Sequence, residues 1–310
     1  MAAFTTVDAE ELDEFLTSHA IAKCNRLQPV EGGSVNSNFS VICGPKRYFL
    51  RLYEEQDDAG AAREQRMVAA LVAAGVPTPI AVATGTLSRK PAAVFPWIDG
   101  VHSCQRAVSA GRARAVGEAL ARVHRSNAPA SESRFDEAAL RKRLATIDSN
   151  AFPVARLART LDALTARARD LPSGVVHGDL FRDNVLFEAA DSDHVVALLD
   201  FESASRGAFA YDLAVTALAW CFGDAFDASR ARAMIEGYAS VRPIEAREKD
   251  AFRTEMRMAA LRFTITRITD YAMRAHDGTT ERVMKDWRRF LARLDAVESM
   301  GDARALFDRT

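Results

Sequence analysis

The most constraining feature of the sequence is a polar segment between apolar runs, residues 175–187, with a second polar group at 199–202. Asp179 precedes Asn184 by five residues, and Asp200 follows Asn184 by sixteen. Phosphoryl transfer from ATP needs a carboxylate that accepts the proton of the attacking hydroxyl, and oxygen ligands that hold Mg²⁺. The spacing therefore indicates a phosphoryl-transfer site.

Apolar runs on both sides predict how these three residues meet. Val185–Phe187 and Val195–Leu199 read as two adjacent strands, which would bring Asn184 and Asp200 to one edge of a hairpin with Asp179 beside it. A polar turn with a helix cap is the alternative, and a lone His-Gly-Asp match would favour it. The longer pattern, continued by an apolar strand and Asp-Phe-Glu, favours a catalytic base and two magnesium ligands.

Composition limits the other function classes. The 310 residues are 48% hydrophobic and 27% charged, as in ordinary globular proteins, and the length suits two packed lobes. A net charge of -1 supplies no overall field for nucleic acid or a membrane surface. We therefore expect neither partner, and we expect local charge to meet an anionic cofactor.

The sequence also predicts a cytoplasmic location. It has no apolar run long enough for a membrane span, and its first residues lack the basic start and apolar core of a secretory signal. The four cysteines are far apart and form no Cys-x-x-Cys pair, which favours reduced thiols over a disulfide framework or a zinc site.

The order of predicted elements defines an α+β fold. A capped helix after Asp8 and a small, mostly antiparallel sheet with one helix, Ala59–Ala74, precede a connector near Pro96–Gly100. We predict a β-rich nucleotide-binding lobe at residues 1–98 and a larger helical lobe with the catalytic and acceptor sites at 99–310. The later helices are predicted at Ala107–Arg125, Phe135–Ile147, Val154–Arg169, Tyr211–Phe222, Ala228–Val241, Ala246–Ala275 and Glu281–Glu298.

A turn of small residues between the first two predicted strands is a candidate phosphate-binding loop. Glycines such as Gly33 let backbone N–H groups approach phosphate oxygens, and the side chains of Ser34, Asn36 and Ser37 add donors. An ordinary hairpin turn of the same composition is the alternative.

Arg51 lies between two leucines on the third predicted strand. Strand alternation places it on one face with Phe49 and Tyr53, from which a cation reaches the phosphates of ATP, and Glu64 on the following helix is a candidate partner. A solvated surface pair of little energetic value is the alternative.

Several other residues receive structural interpretations. We expect His177 to support its loop, since structural histidines outnumber ligands, and we expect Trp220 and its neighbours to lie in the core. Asp212 is expected to cap the helix that follows, to accept from the backbone of the catalytic loop, or both. The arginines of residues 253–267 alternate with apolar residues, which predicts a helix with one packed and one charged face; an anionic substrate facing some of them is the alternative.

Residues 177–187 and 211–215 resemble the aminoglycoside phosphotransferase and choline kinase superfamily, which has a protein-kinase-like fold. More narrowly, they are similar to its homoserine kinase branch. Further stretches that carry the narrower resemblance lie at residues 4–7, 220–222, 237–243 and 259–263.

The resemblance implies specific roles. Asp179 would be the base, and Asn184 and Asp200 would hold Mg²⁺. Arg51, paired with Glu64, would replace the phosphate-binding lysine of protein kinases. The connector that contains Trp97 would be the hinge against which adenine rests.

Two positions depart from the homoserine kinase pattern. Residues 217–220 read Ala-Leu-Ala-Trp where that branch has Val-Asn-Asp-Trp, so Ala219 stands at an acidic position. Val35 stands where that branch has Glu. Both changes concern the choice of acceptor more than the ATP chemistry.

The predicted function is an ATP- and Mg²⁺-dependent kinase for the hydroxyl of a small molecule. The resemblance implies L-homoserine as acceptor, a step of threonine biosynthesis. Choline, ethanolamine, an aminoglycoside or another sugar are the alternative acceptors. A kinase-like binding protein without turnover is the alternative of another class.

Overall fold

The computed structural model describes residues 5–30, 35–165, 170–273 and 285–308. The described residues up to Ala73, together with Thr78–Asp99, form one compact unit, and Ala74–Pro77 with the described residues from Gly100 onward form a second. Whether these units are the two functional lobes predicted at 1–98 and 99–310 stays a prediction. No helix among the described residues has both the length and the apolar character needed to cross a membrane.

The first unit is a five-stranded antiparallel sheet with two helices. Its strands lie in the order β1-β2-β3-β5-β4. Asp8 caps the first helix by accepting from the backbone N–H groups of Glu10 and Glu11, as the sequence predicts. The elements are α1 (Ala9–Ser18), β1 (Arg26–Pro29), β2 (Ser37–Cys43), β3 (Lys46–Leu52), α2 (Asp58–Ala73), β4 (Ala83–Leu87) and β5 (Lys90–Pro96).

Strand β3 packs against other residues on both of its faces. Leu50 and Leu52 enter a core that includes α1, whereas Phe49 and Tyr53 belong to a second cluster that includes Ala61 of α2. Alternate residues of a strand point to opposite faces, so the predicted shared face of Phe49 and Tyr53 is confirmed. Arg51 lies between them in sequence and shares their face.

The second unit is mainly helical and contains two short ribbons, β6 with β9 and β7 with β8. Its helices are α3 (Ala110–Arg125), α4 (Glu137–Leu144), α5 (Val154–Leu164), α6 (Phe209–Trp220), α7 (Ala228–Val241), α8 (Ala246–Arg267) and α9 (Arg288–Ser299), and its strands are β6 (Ser173–Val176), β7 (Val185–Phe187), β8 (Val195–Leu198) and β9 (Ser205–Ala208).

Helices α3 and α7 pack closely because each places a glycine at the contact. A β-carbon on Gly117 would overlap the carbonyl oxygen of Met234, and one on Gly237 would overlap that of Arg114. Only a residue without a side chain fits either position.

Helix α8 ends earlier than predicted. The α-helical pattern stops at Arg267, and a π-helical turn covers Ile268–Ala272, where the Met273 N–H donates to the Ile268 carbonyl at 2.9 Å. The wider hydrogen-bond register replaces the α-helical one there. Helix α9 begins at Arg288 rather than Glu281. The predicted stretches at 166–169, 274–275 and 281–284 lie outside the described residues.

Candidate active site

The loop that carries Asp179 depends on a glycine immediately before it. Gly178 has a φ of +75°, in the left-handed region, and a β-carbon there would lie 2.8 Å from the carbonyl oxygen of Ser203. Both the backbone conformation and the close approach exclude a larger residue. The loop can therefore adopt this conformation only with glycine at position 178.

Asp212, in the first turn of α6, holds the same loop by hydrogen bonds. Its carboxylate accepts from the backbone N–H groups of His177, at 2.7 Å, and of Gly178, at 2.8 Å. The predicted hydrogen bonds from the backbone of this loop to Asp212 are confirmed. The first turn of α6 has Ala208 at the N-cap and no side-chain cap, so the capping role is wrong.

The residue that completes this anchor is His124 on α3, which the sequence analysis missed. Its Nε2 donates to Asp212 at 3.0 Å, and its Nδ1 accepts from the Tyr238 hydroxyl at 2.6 Å. Burial lowers the pKa of His124, so the ring is neutral at pH 7. Burial alone raises the pKa of Asp212, but the interactions with His124, with His177 and with the Gly178 N–H together outweigh it, and the net pKa is lowered.

His177 has the structural role that the sequence predicts. Its Nδ1 accepts from the Asp179 backbone N–H at 3.3 Å, and its Nε2 donates to the Leu199 carbonyl at 3.0 Å. The ring lies 4.6 Å from that of Phe201. His177 thereby connects the loop that carries Asp179 with the segment that carries Asp200.

Asp179 is partly exposed, at 27% of its side chain, and faces a buried cation. Arg262 Nη1 lies 4.0 Å from the carboxylate and donates to the Gly178 carbonyl at 3.2 Å. Burial raises the pKa of Asp179, while the charge of Arg262 opposes that rise. The carboxylate is thus a stronger base than an exposed one, which suits a proton acceptor.

Asn184 and Asp200 lie on neighbouring ends of the β7–β8 ribbon, as predicted. Asn184 accepts at its backbone carbonyl from the Leu199 N–H at 2.9 Å, and Asp200 follows directly. The Asn184 Nδ2 donates to the Asp179 carbonyl at 2.8 Å, so the amide ties all three segments together. Asp200 has a φ of +62°, a strained conformation for a residue other than glycine.

The donor chemistry of this pair fits Mg²⁺. The Nδ2 of Asn184 is engaged by the loop, which turns its amide oxygen toward a different partner, and Asp200 adds a carboxylate. Magnesium commonly takes one or two protein oxygens and completes its shell with phosphate and water. No cluster of three His, Cys, Asp or Glu within the described ranges has a metal-binding arrangement.

Trp220 supports the same loop from the end of α6. Its side chain is fully buried, which confirms the predicted core position, and its Nε1 donates to the Leu180 carbonyl at 2.9 Å. The neighbouring Ala219 is also fully buried, and its carbonyl oxygen accepts from Arg182 Nη1 at 2.6 Å.

The candidate nucleotide residues belong to the first unit. Arg51 Nη1 lies 3.8 Å from the carboxylate of Glu64, so the structure brings the predicted pair together with both side chains largely buried. Arg51 also donates to Asn38 Oδ1 at 3.4 Å. A solvated surface pair does not describe this geometry.

The described part of the predicted phosphate loop is bonded internally. Asn36 Oδ1 accepts from the Glu54 N–H at 3.2 Å, and the Ser37 hydroxyl donates to the Glu54 carboxylate at 2.5 Å. Both side chains are buried. Gly33 and Ser34 lie outside the described residues. The role of this loop toward a nucleotide stays a prediction.

Trp97 lies just after β5, beside an arginine of β3. The guanidinium of Arg47 stacks 3.4 Å from the centre of the indole ring, and the Trp97 N–H donates to the Arg47 carbonyl at 3.2 Å. The guanidinium therefore covers one face of the ring. Its predicted contact with adenine stays a prediction.

The first unit is a five-stranded sheet, and the helical second unit carries a carboxylate on a loop beside an amide and a second carboxylate. These features define a protein-kinase-like phosphotransferase fold. A spectinomycin phosphotransferase solved with ADP and spectinomycin has this fold, with a TM-score of 0.67 at 15% identity, over 97% of this chain and 98% of that one.

Residues 26–244 match the phosphotransferase enzyme family, and the chain belongs to it. Its relatives include the homoserine kinase of Methylocella silvestris, 35% identical over 99% of both chains. The homoserine kinase of Methylobacterium radiotolerans is 36% identical over 98% of both. The predicted family and fold class are confirmed.

Proposed function

We propose that the protein transfers the γ-phosphoryl group of ATP to the hydroxyl of L-homoserine, giving O-phospho-L-homoserine and ADP. The observation that carries the proposal is the meeting of Asp179, Asn184 and Asp200 in a phosphotransferase chain. The acceptor is taken from two homoserine kinases that match over 99% and 98% of the chain.

Asp179 accepts the hydroxyl proton of the acceptor as the new O–P bond forms and the bond to the ADP oxygen breaks. The proton then passes to solvent. The raised pKa of Asp179, which burial causes, keeps the carboxylate basic enough for this task. The Asp212 anchor fixes the loop, so the carboxylate need not be oriented during the reaction.

The remaining roles complete the proposal. Asn184 Oδ1 and Asp200 would hold Mg²⁺, which would neutralise charge on the phosphate oxygens when bound. In the other unit, Arg51, held by Glu64, binds phosphate. Backbone and side-chain donors of the loop and the ring of Trp97 bind the rest of the nucleotide, the loop residues being Gly33, Ser34, Asn36 and Ser37. We also propose a cytoplasmic location, since the donor is ATP and the four cysteines are free thiols.

Release of ADP with separate acceptors tests the proposal. L-homoserine should support turnover, while choline, ethanolamine and an aminoglycoside should not, and phosphorus NMR should identify O-phosphohomoserine. Asp179→Asn should reduce kcat by about 10²–10⁴-fold, because general-base catalysis is lost. Asp191→Asn, on the exposed turn between β7 and β8, is the matched control. ATP binding without ADP release from any acceptor would indicate a binding protein instead.

A further inference from the structure

Several basic side chains gather near Asp179 in the second unit. Arg267 and Arg293 stack on the ring of Phe290, at 4.4 and 4.3 Å. That ring lies 5.8 Å from the ring of Phe181, whose N–H donates to the Asp179 carbonyl at 2.7 Å. The cationic cluster consists of these two arginines and three further residues that interact electrostatically with them: Arg182, Lys285 and Arg289.

The members range from Arg293, which is buried, to Arg289, which is exposed, and their charges repel one another. Burial first, and the positive charge of Arg289 second, lower the pKa of Arg267 to about 10. Burial and three neighbouring arginines lower the pKa of Arg293 to about 9. Both remain cations at pH 7, so the unit holds concentrated positive charge at an energetic cost.

Carboxylates of the described residues do not pair with this charge. In the described ranges no member of the cluster forms an ion pair, and the hydrogen-bond acceptors of Arg182 and Arg267 are neutral oxygens. Arg293 is 4% exposed, yet its Nε has no hydrogen-bond partner among those residues. By contrast, the largely buried Arg242 meets the carboxylate of Glu248 at 3.0 Å.

The acids whose charges reach the cluster, within the described part of the chain, are Asp179 and Asp183. Asp179 is already assigned to the reacting hydroxyl. Position 219 is a buried alanine whose carbonyl accepts a hydrogen bond from Arg182 and which brings no negative charge. Among the described residues, the electrostatic balance near Asp179 therefore favours an anionic group of a ligand and disfavours an ammonium group.

We propose that the cationic cluster, Arg267 and Arg182 above all, binds a carboxylate of the acceptor, and that the protein selects its acceptor by this carboxylate rather than by the ammonium group. Guanidinium groups bind carboxylates through paired, charge-assisted hydrogen bonds, which suits this site. The inference rests on the proposed function, because it places the acceptor beside Asp179. It extends that function to hydroxy acids that lack an amino group.

Two truncated acceptors separate the contributions of the charged groups. 4-Hydroxybutyrate keeps the carboxylate and hydroxyl of homoserine and lacks the ammonium, whereas 3-aminopropan-1-ol keeps the ammonium and lacks the carboxylate. We expect kcat/KM for 4-hydroxybutyrate within about tenfold of that for homoserine, and a loss of about 100-fold or more for the amino alcohol. Equal activity of the two truncated acceptors, or a preference for the amino alcohol, would overturn the inference.

Substitution of Arg267 tests the site itself. Arg267→Met keeps the length of the side chain and removes its charge, and should raise KM for 4-hydroxybutyrate and homoserine about tenfold or more while leaving KM for ATP unchanged. Arg288→Met, at a residue of α9 with a 72% exposed side chain, is the matched control and should change neither. If KM for ATP rises instead, the cluster binds nucleotide phosphates and the inference is wrong.

Binding without turnover distinguishes this inference from the proposed function. 4-Hydroxybutyrate should raise the Tm of the wild-type protein and of Arg288→Met but not that of Arg267→Met or Arg182→Met. If homoserine gives no ADP but this pattern holds, the choice of homoserine fails and the carboxylate site stands. If homoserine is phosphorylated but no carboxylate stabilises the protein, the function stands and the carboxylate site fails. Comparable far-ultraviolet circular dichroism of the variants controls for folding.

Discussion

Asp212 accepts a hydrogen bond from His124 Nε2 at 3.0 Å, and both side chains are completely buried. The same carboxylate accepts from two backbone N–H groups of the catalytic loop, and the histidine accepts from Tyr238. A chain of hydrogen bonds thus runs from α7 through α3 and α6 to Gly178. It couples the stability of the helical unit to the position of Asp179.

We predict that Asp212→Asn destabilises the protein by about 3 kcal/mol, because the amide cannot accept all three hydrogen bonds and leaves buried donors unpaired. Urea unfolding followed by circular dichroism measures the change. Turnover should fall as well, since the loop loses its anchor. Asp191→Asn is the surface control, and an equal change in both variants would contradict this role for Asp212.

We predict that stability falls with acidification below pH 6.5, because of His124. Burial lowers the pKa of His124 in the folded protein below the value of 6.5 that it has in the unfolded chain. As the pH falls, the unfolded chain therefore takes up the proton first. Between 6.5 and the lower pKa of the folded protein, the cost for this one group approaches about 1.4 kcal/mol per pH unit. The lowered pKa of Asp212 removes stability in the same direction, below pH 3.8, as the unfolded chain binds its proton first.

Urea unfolding at pH 7.5 and 5.5 measures this effect, with His124→Gln as the comparison. The glutamine variant should be less stable at pH 7.5 but should lose less stability between the two pH values than the wild type. Equal losses in both proteins would show that His124 does not titrate as described.

We predict that removing the charge of Arg262 moves the acidic limb of the pH–rate profile upward. Asp179 must be ionised to accept a proton, so kcat/KM falls as the pH drops through its pKa. Burial already raises that pKa, and Arg262→Met removes the opposing charge. Lys285, His177 and Asp200 also act on Asp179 and remain in the variant.

The measurement is kcat/KM for homoserine between pH 5 and 9, with Arg257→Met on the same helix as the control. Arg257 pairs with Glu298 rather than with Asp179. If the acidic limb of the kcat/KM profile lies at the same pH in the wild type and both variants, an electrostatic effect of Arg262 on Asp179 is excluded. A uniform loss of activity at every pH would indicate only a structural role.

We predict that Gly117→Ala destabilises the contact between α3 and α7 by about 1–3 kcal/mol, because the added carbon overlaps the backbone of Met234. Gly223→Ala is the matched control, since a β-carbon there meets nothing within 4 Å and needs no left-handed backbone. Thermal unfolding compares the two. Similar Tm values would show that the helices separate at little cost.

Local sequence patterns predicted the elements that hold the candidate site residues. The apolar runs beside Asn184 and Asp200 predicted two paired strands, and this pairing brings the two residues close together. The loop-anchoring role of Asp212 followed from its place beside an apolar helix. By contrast, β9 was not predicted, since Ser-Arg-Gly-Ala has weak strand propensity and forms a strand only by pairing with β6.

Long-range contacts could not be read from the sequence. His124 looks like a basic residue in the last turn of α3, and only the fold brings it to Asp212, 88 positions away. The cationic cluster likewise combines three distant parts of the chain. The positive φ of Asp200 could not be predicted from the sequence either, because a residue other than glycine gives no local signal for it.

The hydrogen bond from Trp220 Nε1 to the Leu180 carbonyl has an optical consequence. The chain has three tryptophans, and Trp220 is completely buried, so its indole emits from a dry environment next to Asp179. Trp97 and Trp287 are more exposed and can be replaced by phenylalanine. The remaining fluorophore would report displacement of the catalytic loop in real time, without an added label.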